Sequence, residues 1–178
     1  MQTEALIKDS NIQLQNHIVV CGLHSSIYHF ILPLRAKYLK NYQQDIVIIS
    51  SHFHNETWEG IARFPRVFLV EGSPISTEIL KQAFIHKADK AVIMGHDPSF
   101  NTEKRKEVND QMIDARTIFI HKVIKKLNPT LQIFSEITFQ SNIDFILPKS
   151  RRPENFNFST LFAAGEVYIA STIDTLTS

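Results

Sequence analysis

Apolar positions along the chain follow two alternating periods. Short, nearly continuous apolar runs occupy 17–21 (HIVVC), 45–50 (DIVIIS), 66–70 (RVFLV), 89–94 (DKAVIM) and 131–136 (LQIFSE). Runs of this length, rich in β-branched residues, predict strands covered on both faces. Between them, apolar residues recur at helical spacing over 25–40, 55–62, 76–84 and 110–127. In the first of these Ile27, Phe30, Ile31, Leu34 and Tyr38 share one stripe, and Pro33 inside it predicts a kink. Ser76 stands where an N-cap would open the third.

Strands alternating with helices imply βαβ crossovers. The fold class is therefore α/β, a Rossmann-like doubly wound parallel sheet with helices on both faces. Right-handed crossovers predict strand order 3-2-1-4-5, with a sixth element reduced or missing. The weakly patterned residues 1–16 (Leu6, Ile7, Ile12, Leu14) read as a linker, and 17–157 as the domain. The charged stretch 95–110 (GHDPSFNTEKRKEVND) interrupts the rhythm and reads as a long exposed loop. In 158–178, Leu161, Phe162, Tyr168, Ile169, Ile173 and Leu176 recur among Ala163, Ala164, Gly165 and Ala170. That spacing predicts a C-terminal helix whose small residues allow close helix–helix contact.

Composition changes the picture little. A chain of 178 residues holds one domain with a sizeable core, and 43% hydrophobic with 21% charged residues is ordinary for a globular protein. The net charge of +1 gives no reason to expect nucleic acid as a partner. A single cysteine, Cys21, rules out an internal disulfide and fits a reducing compartment. No apolar run reaches the roughly 18–20 residues of a membrane helix. The expectation is a cytosolic domain, free-standing or the soluble part of a longer membrane protein.

Chemistry is not advertised. A dinucleotide cradle needs Gly-x-Gly-x-x-Gly after the first strand, because side chains would block the backbone from the pyrophosphate. Here those positions hold Gly22, His24 and Ile27, and the second strand ends in Ser50 and Ser51 rather than an acid. Neither a P-loop nor a Gly-x-Ser-x-Gly elbow is present. Cys21 near His17 and His24 reads as a buried structural thiol. His52 and His54 lack partners to complete a tetrahedral metal set, Glu56 being thin support. No residue is assigned a catalytic, cofactor-binding or metal-ligating role.

Several segments in order nevertheless form a recognisable series. HIVVCG (17–22), LPLRAKYL (32–39), Trp58, FPRVFLVEGSP (64–74), LKQAFIHKADKAVIM (80–94), IFSEITFQSNIDFI (133–146) and LFAAGEVYIASTIDTL (161–176) together resemble one family. It is the RCK domain, regulator of potassium conductance, of BK-type, Slo-like calcium-activated potassium channels, and most closely the second such domain of each subunit. The resemblance implies a cytoplasmic gating-ring domain and not an enzyme. Its partners would be other RCK domains, in a homotetrameric ring, and a transmembrane pore domain elsewhere in the full-length chain. It also implies that 158–178 leads toward a dimerising helix-turn-helix the chain does not reach, so that the chain is a fragment. Leu161, Phe162, Tyr168, Ile169 and Ile173 are then interface candidates. Where the family carries an aspartate-rich calcium site, this chain has LPKSRRPENFNF (147–158), with Lys149, Arg151 and Arg152. Calcium needs several oxygen ligands, so that site is expected to be lost. The alternative is a degenerate Rossmann nucleotide-binding protein or NAD-dependent enzyme.

Overall fold

The run Ile18–Cys21 forms β1 at the centre of the sheet, with all four residues buried. The computed structural model describes residues 13–22, 24–51, 59–95, 113–147 and 163–169. After β1 come α1 (Ile27–Leu34), a 3-10 segment (Lys37–Tyr42), β2 (Ile46–Ser50) and β3 (Val67–Glu71). Then follow α2 (Thr77–Gln82), a 3-10 turn (Ile85–Lys87), β4 (Lys90–Ile93), α3 (Ala115–Leu127), β5 (Gln132–Ile137), a 3-10 segment (Gln140–Phe145) and β6 (Val167–Ile169). All strand pairs are parallel, in the order β3-β2-β1-β4-β5-β6. Val19 lies opposite Val47 on one side and Ala91 on the other.

The order agrees with the sequence expectation, and the sixth strand is present in reduced form at three residues. It also corrects that expectation. The helix read over 158–178 is not found at Val167–Ile169, which pair with Ser135, Glu136 and Ile137 of β5. An apolar–aromatic–apolar triplet satisfies either period, and the open edge of β5 offers hydrogen bonds that a short helix would have to supply alone. Leu161, Phe162 and Ile173, with the rest of 158–162 and 170–178, lie outside the described residues, as do 96–110 of the charged loop and the basic stretch 148–158.

The first helix departs from expectation too. Pro33 ends it rather than kinking it. The helix stops at Leu34 and Ala36 turns extended (φ −59°, ψ 144°) before the 3-10 segment. Proline removes the N–H that would bond back one turn, and the chain restarts. Ser76 does occupy the N-cap position of α2, in extended backbone, without a side-chain capping bond.

Two cores sandwich the sheet. On one face, Ile27 and Ile31 of α1 pack with Ile61 on Ile18, Val20, Ile46, Ile48, Val67 and Leu69. On the other, Leu80, Ile85, Ile120 and Ile124 cover Val19, Val47, Ile49, Ala91, Ile93 and Ile133. Right-handed crossovers place β1→β2→β3 connections on one face, and the reversal at β1 sends β3→β4→β5 connections to the other. So β1 and β2 are buried throughout, whereas β4 and β5 alternate between buried and partly exposed positions.

The amino-end edge of the sheet is tied by polar side chains. The Arg35 guanidinium donates to the carbonyls of Leu34, Gln44, Pro65 and Arg66 at 2.9–3.2 Å, holding the approaches to β2 and β3. Gln44 donates to the Asn16 carbonyl at 2.8 Å and to Asp89 at 3.0 Å, joining the approaches to β1 and β4.

Candidate functional site

In doubly wound folds ligands sit at the carboxyl ends of the strands, where the order reverses between β1 and β4. Here β1 runs into Gly22 at φ +102°, a left-handed conformation that explains the single glycine kept. Beyond it His24 turns its ring onto the start of α1. Its Nδ1 accepts from the Ser26 backbone N–H at 3.1 Å and from the Ser26 hydroxyl at 2.7 Å. One backbone donor at the helix start, the Ser26 N–H, is thus engaged by the protein's own imidazole rather than left for a phosphate. Ser50, where an acid would bind ribose, is buried at the end of β2.

Two carboxylates bind the rest of this edge. Glu136 on β5 accepts from the Gly95 backbone N–H at 2.9 Å, just past β4. A Cβ at position 95 would stand 3.1 Å from the Glu136 side chain, so the glycine permits that close approach. Asp114, immediately before α3 and 1% exposed, accepts from the backbone N–H groups of Thr138 (2.8 Å) and Phe139 (3.0 Å) and from Asn142 Nδ2 (2.7 Å). The exit of β4 and the entry to α3 are therefore both fastened to the end of β5. Sequence reading missed Asp114 and Glu136. The one available signal was an acid at a helix start, which Asp114 supplies.

The buried titratable groups are structural. Burial pushes the Cys21 thiol up to about 12, so it is not a nucleophile at neutral pH. His121, under α3, is hydrogen-bonded through Nδ1 to Ser135 Oγ at 3.0 Å. Desolvation, aided by Lys125 and Lys122, holds it down at about 4. His17 is lowered too, chiefly by burial, and its Nε2 donates to the Ala83 carbonyl at 2.9 Å. Both are neutral at pH 7. Among the described residues no group of three or more histidine, cysteine or acidic side chains could hold a metal ion. His52, His54 and Glu56 lie outside them.

Among the described residues, the α1 side of the sheet is open over β4, β5 and β6. A cavity of about 610 Å³ lies there, lined by Phe30 and Leu34 of α1, Val92 and Met94, Phe134, and Tyr168. Of the interface candidates, Tyr168 faces this opening and is 48% exposed, whereas Ile169 is 4% exposed and packs with Ile137, Ile143 and Val167. Strand geometry turns neighbouring side chains to opposite faces, so the stripe expected of a helix is divided here. No helix among the described residues is long and apolar enough to cross a membrane.

Comparison with known proteins agrees with this geometry. A family model described as the calcium-activated potassium channel slowpoke-like RCK domain matches residues 13–135. Human potassium channel subfamily T member 1 is 31% identical over 185 residues, which take in 91% of this chain and 15% of that relative. The human SLO3 gating ring superposes with a TM-score of 0.79 at 25% identity, covering 97% of this chain and 32% of that one. The TrkA-N domain of the inner membrane protein ybaL from Escherichia coli shares the fold at a TM-score of 0.56 and 14% identity, covering 93% and 96% of the two chains.

Proposed function

The chain belongs to the Slo-like RCK domain family, a family of channel regulatory domains and not of enzymes, and from that premise we propose that it works as a gating-ring domain on the cytoplasmic side of a potassium channel. The likeness to the human SLO3 gating ring across nearly the whole chain is the observation that carries the proposal. The domain would couple intracellular signals and subunit assembly to pore opening. Its partners would be RCK domains of the same channel, in a tetrameric ring, and the pore domain. The LPLRAKYL and LFAAG segments favour the second RCK position in the subunit. Leu161, Phe162 and Ile173 remain interface candidates beside Tyr168.

The physics asked of such a domain is modest. A signal shifts the pore only by the difference in its affinity for the two states of the ring. A rigid scaffold transmits that difference without dissipating it. The two all-buried central strands and the fastened ends of β4, β5 and α3 supply the rigidity.

The test is to express the full-length protein that carries this domain and record currents from excised patches while cytosolic calcium, sodium and pH are varied. Disrupting the domain core with Ile124→Asp should abolish the response to the cytosolic signal or the assembly of channels. Unchanged currents, signal dependence and subunit number in that variant would overturn the proposal.

A further inference from the structure

The open half of the sheet carries a chemical gradient. Along the partly exposed face of β4 and β5, Lys90 stands opposite Gln132 at the amino end and Val92 opposite Phe134 in the middle. One step further, Met94 follows Ile93 as Glu136 follows Ser135, and Glu136 pairs across to Tyr168 of β6. The floor thus runs from a cation, over apolar and aromatic side chains, to a carboxylate beside an aromatic ring. Its length, four residues of strand, is about 13 Å at about 3.3 Å per residue.

The two charged ends are not equivalent. The Lys90 ammonium is met by Asp89 at 2.6 Å, so it already has a carboxylate partner at the protein surface. Glu136 takes the Gly95 N–H on Oε2, one of about four acceptor positions that a carboxylate offers. Neither ion pair among the described residues, Arg66–Asp45 or Lys90–Asp89, includes it. His29 of α1 and Ser26, just before that helix, also line the cavity. The cavity, about 610 Å³, is in the range of small-molecule sites, and Glu136 is the acidic residue among those that line it.

We propose that this cavity is a binding site for an elongated hydrophobic amine, its apolar body lying along Phe30, Leu34, Val92 and Phe134 and its ammonium group meeting the Glu136 carboxylate beside Tyr168. A carboxylate with an adjacent aromatic ring favours an ammonium group twice, by charge-assisted hydrogen bonding and by cation–π attraction. An anionic ligand of the same shape would bring its charge against Glu136 and find Lys90 already engaged. The site shares Tyr168 with the proposed ring interface, but its test reads binding rather than current, so the two readings fail separately.

The experiment titrates the chain with a biphenylbutylamine and, separately, with the matching biphenylbutanoic acid, by calorimetry and by amide chemical shifts. The amine should bind at least tenfold tighter than the acid and shift the amides of Gly95, Phe134 and Tyr168. In Glu136→Gln, which retains an acceptor for Gly95, the preference should fall to near parity. Phe134→Ala should weaken the amine at least tenfold without changing its preference over the acid. Equal binding of the two probes by the unmodified chain would overturn the proposal, even were Glu136→Gln to fold poorly. So would the absence of shifts at those amides, or exclusion of the probe by self-association of the chain, which would assign the groove to a second copy.

Discussion

Histidine 121 shows how one residue's surroundings set its response. Buried against Ser135, it titrates at about 4 rather than near the 6.5 of an unfolded chain. Its folded pKa is depressed, so the unfolded state binds the proton first and stability falls as pH drops from about 6.5 through about 4. His17, also lowered, adds in the same direction. The His121 contribution is on the order of 3 kcal/mol above that window. His121→Gln should therefore flatten the acid side of the stability curve relative to the unmodified chain, read as melting temperature between about pH 6.5 and 4. Parallel curves for the two proteins would refute the assignment. Asp114 is the other residue on which much rests, because three donors converge on one buried carboxylate and removing it would leave them unsatisfied.

At the scale of elements, β6 separates two neighbours that a helix would have placed on adjoining positions. Ile169 points into the cluster of Ile137, Ile143, Ile146 and Leu147, and Tyr168 points into the open groove. Ile169→Asp buries a charge among those side chains and should lower the melting temperature by several degrees or more, a cost of roughly 3–5 kcal/mol. Tyr168→Thr should leave stability within about 1 kcal/mol, because the half-exposed ring is replaced by a strand-forming residue that adds no charge opposite Glu136. Thermal melts of both variants check the pair. Equal losses would mean that the strand register is wrong. The helix end at Pro33 belongs to this scale as well. It brings Arg35 to the edge where one guanidinium holds four carbonyls, a role the residue could not fill from mid-helix.

The whole molecule is a dinucleotide-binding architecture whose ligand edge is taken up by its own side chains. His24 engages the start of α1, Glu136 the exit of β4 and Asp114 the turn after β5. We expect no NAD or ATP affinity in the sub-millimolar range at the Gly22 turn. Calorimetric titration checks this, and saturable binding that is lost in Gly22→Val would refute it.

The sequence by itself was enough for the sheet. Five apolar runs appear as strands within a residue or so of their expected limits, and the order follows once crossovers are right-handed. Burial on both faces leaves a signature that local pattern reveals. The missing cradle was legible too, since Gly22, His24 and Ile27 occupy defined positions. Tertiary structure decided the rest. Whether Val167–Ile169 becomes helix or strand depends on the free edge of β5, a partner 32 residues away that no window of sequence contains. The open groove exists because successive crossovers change faces at β1, a property of topology rather than of any segment. Glu136 with Gly95, and Asp114 with Thr138 and Phe139, meet across 41, 24 and 25 residues respectively. Side chains that bond to backbone so far away leave no periodicity behind, and only the folded chain brings them together.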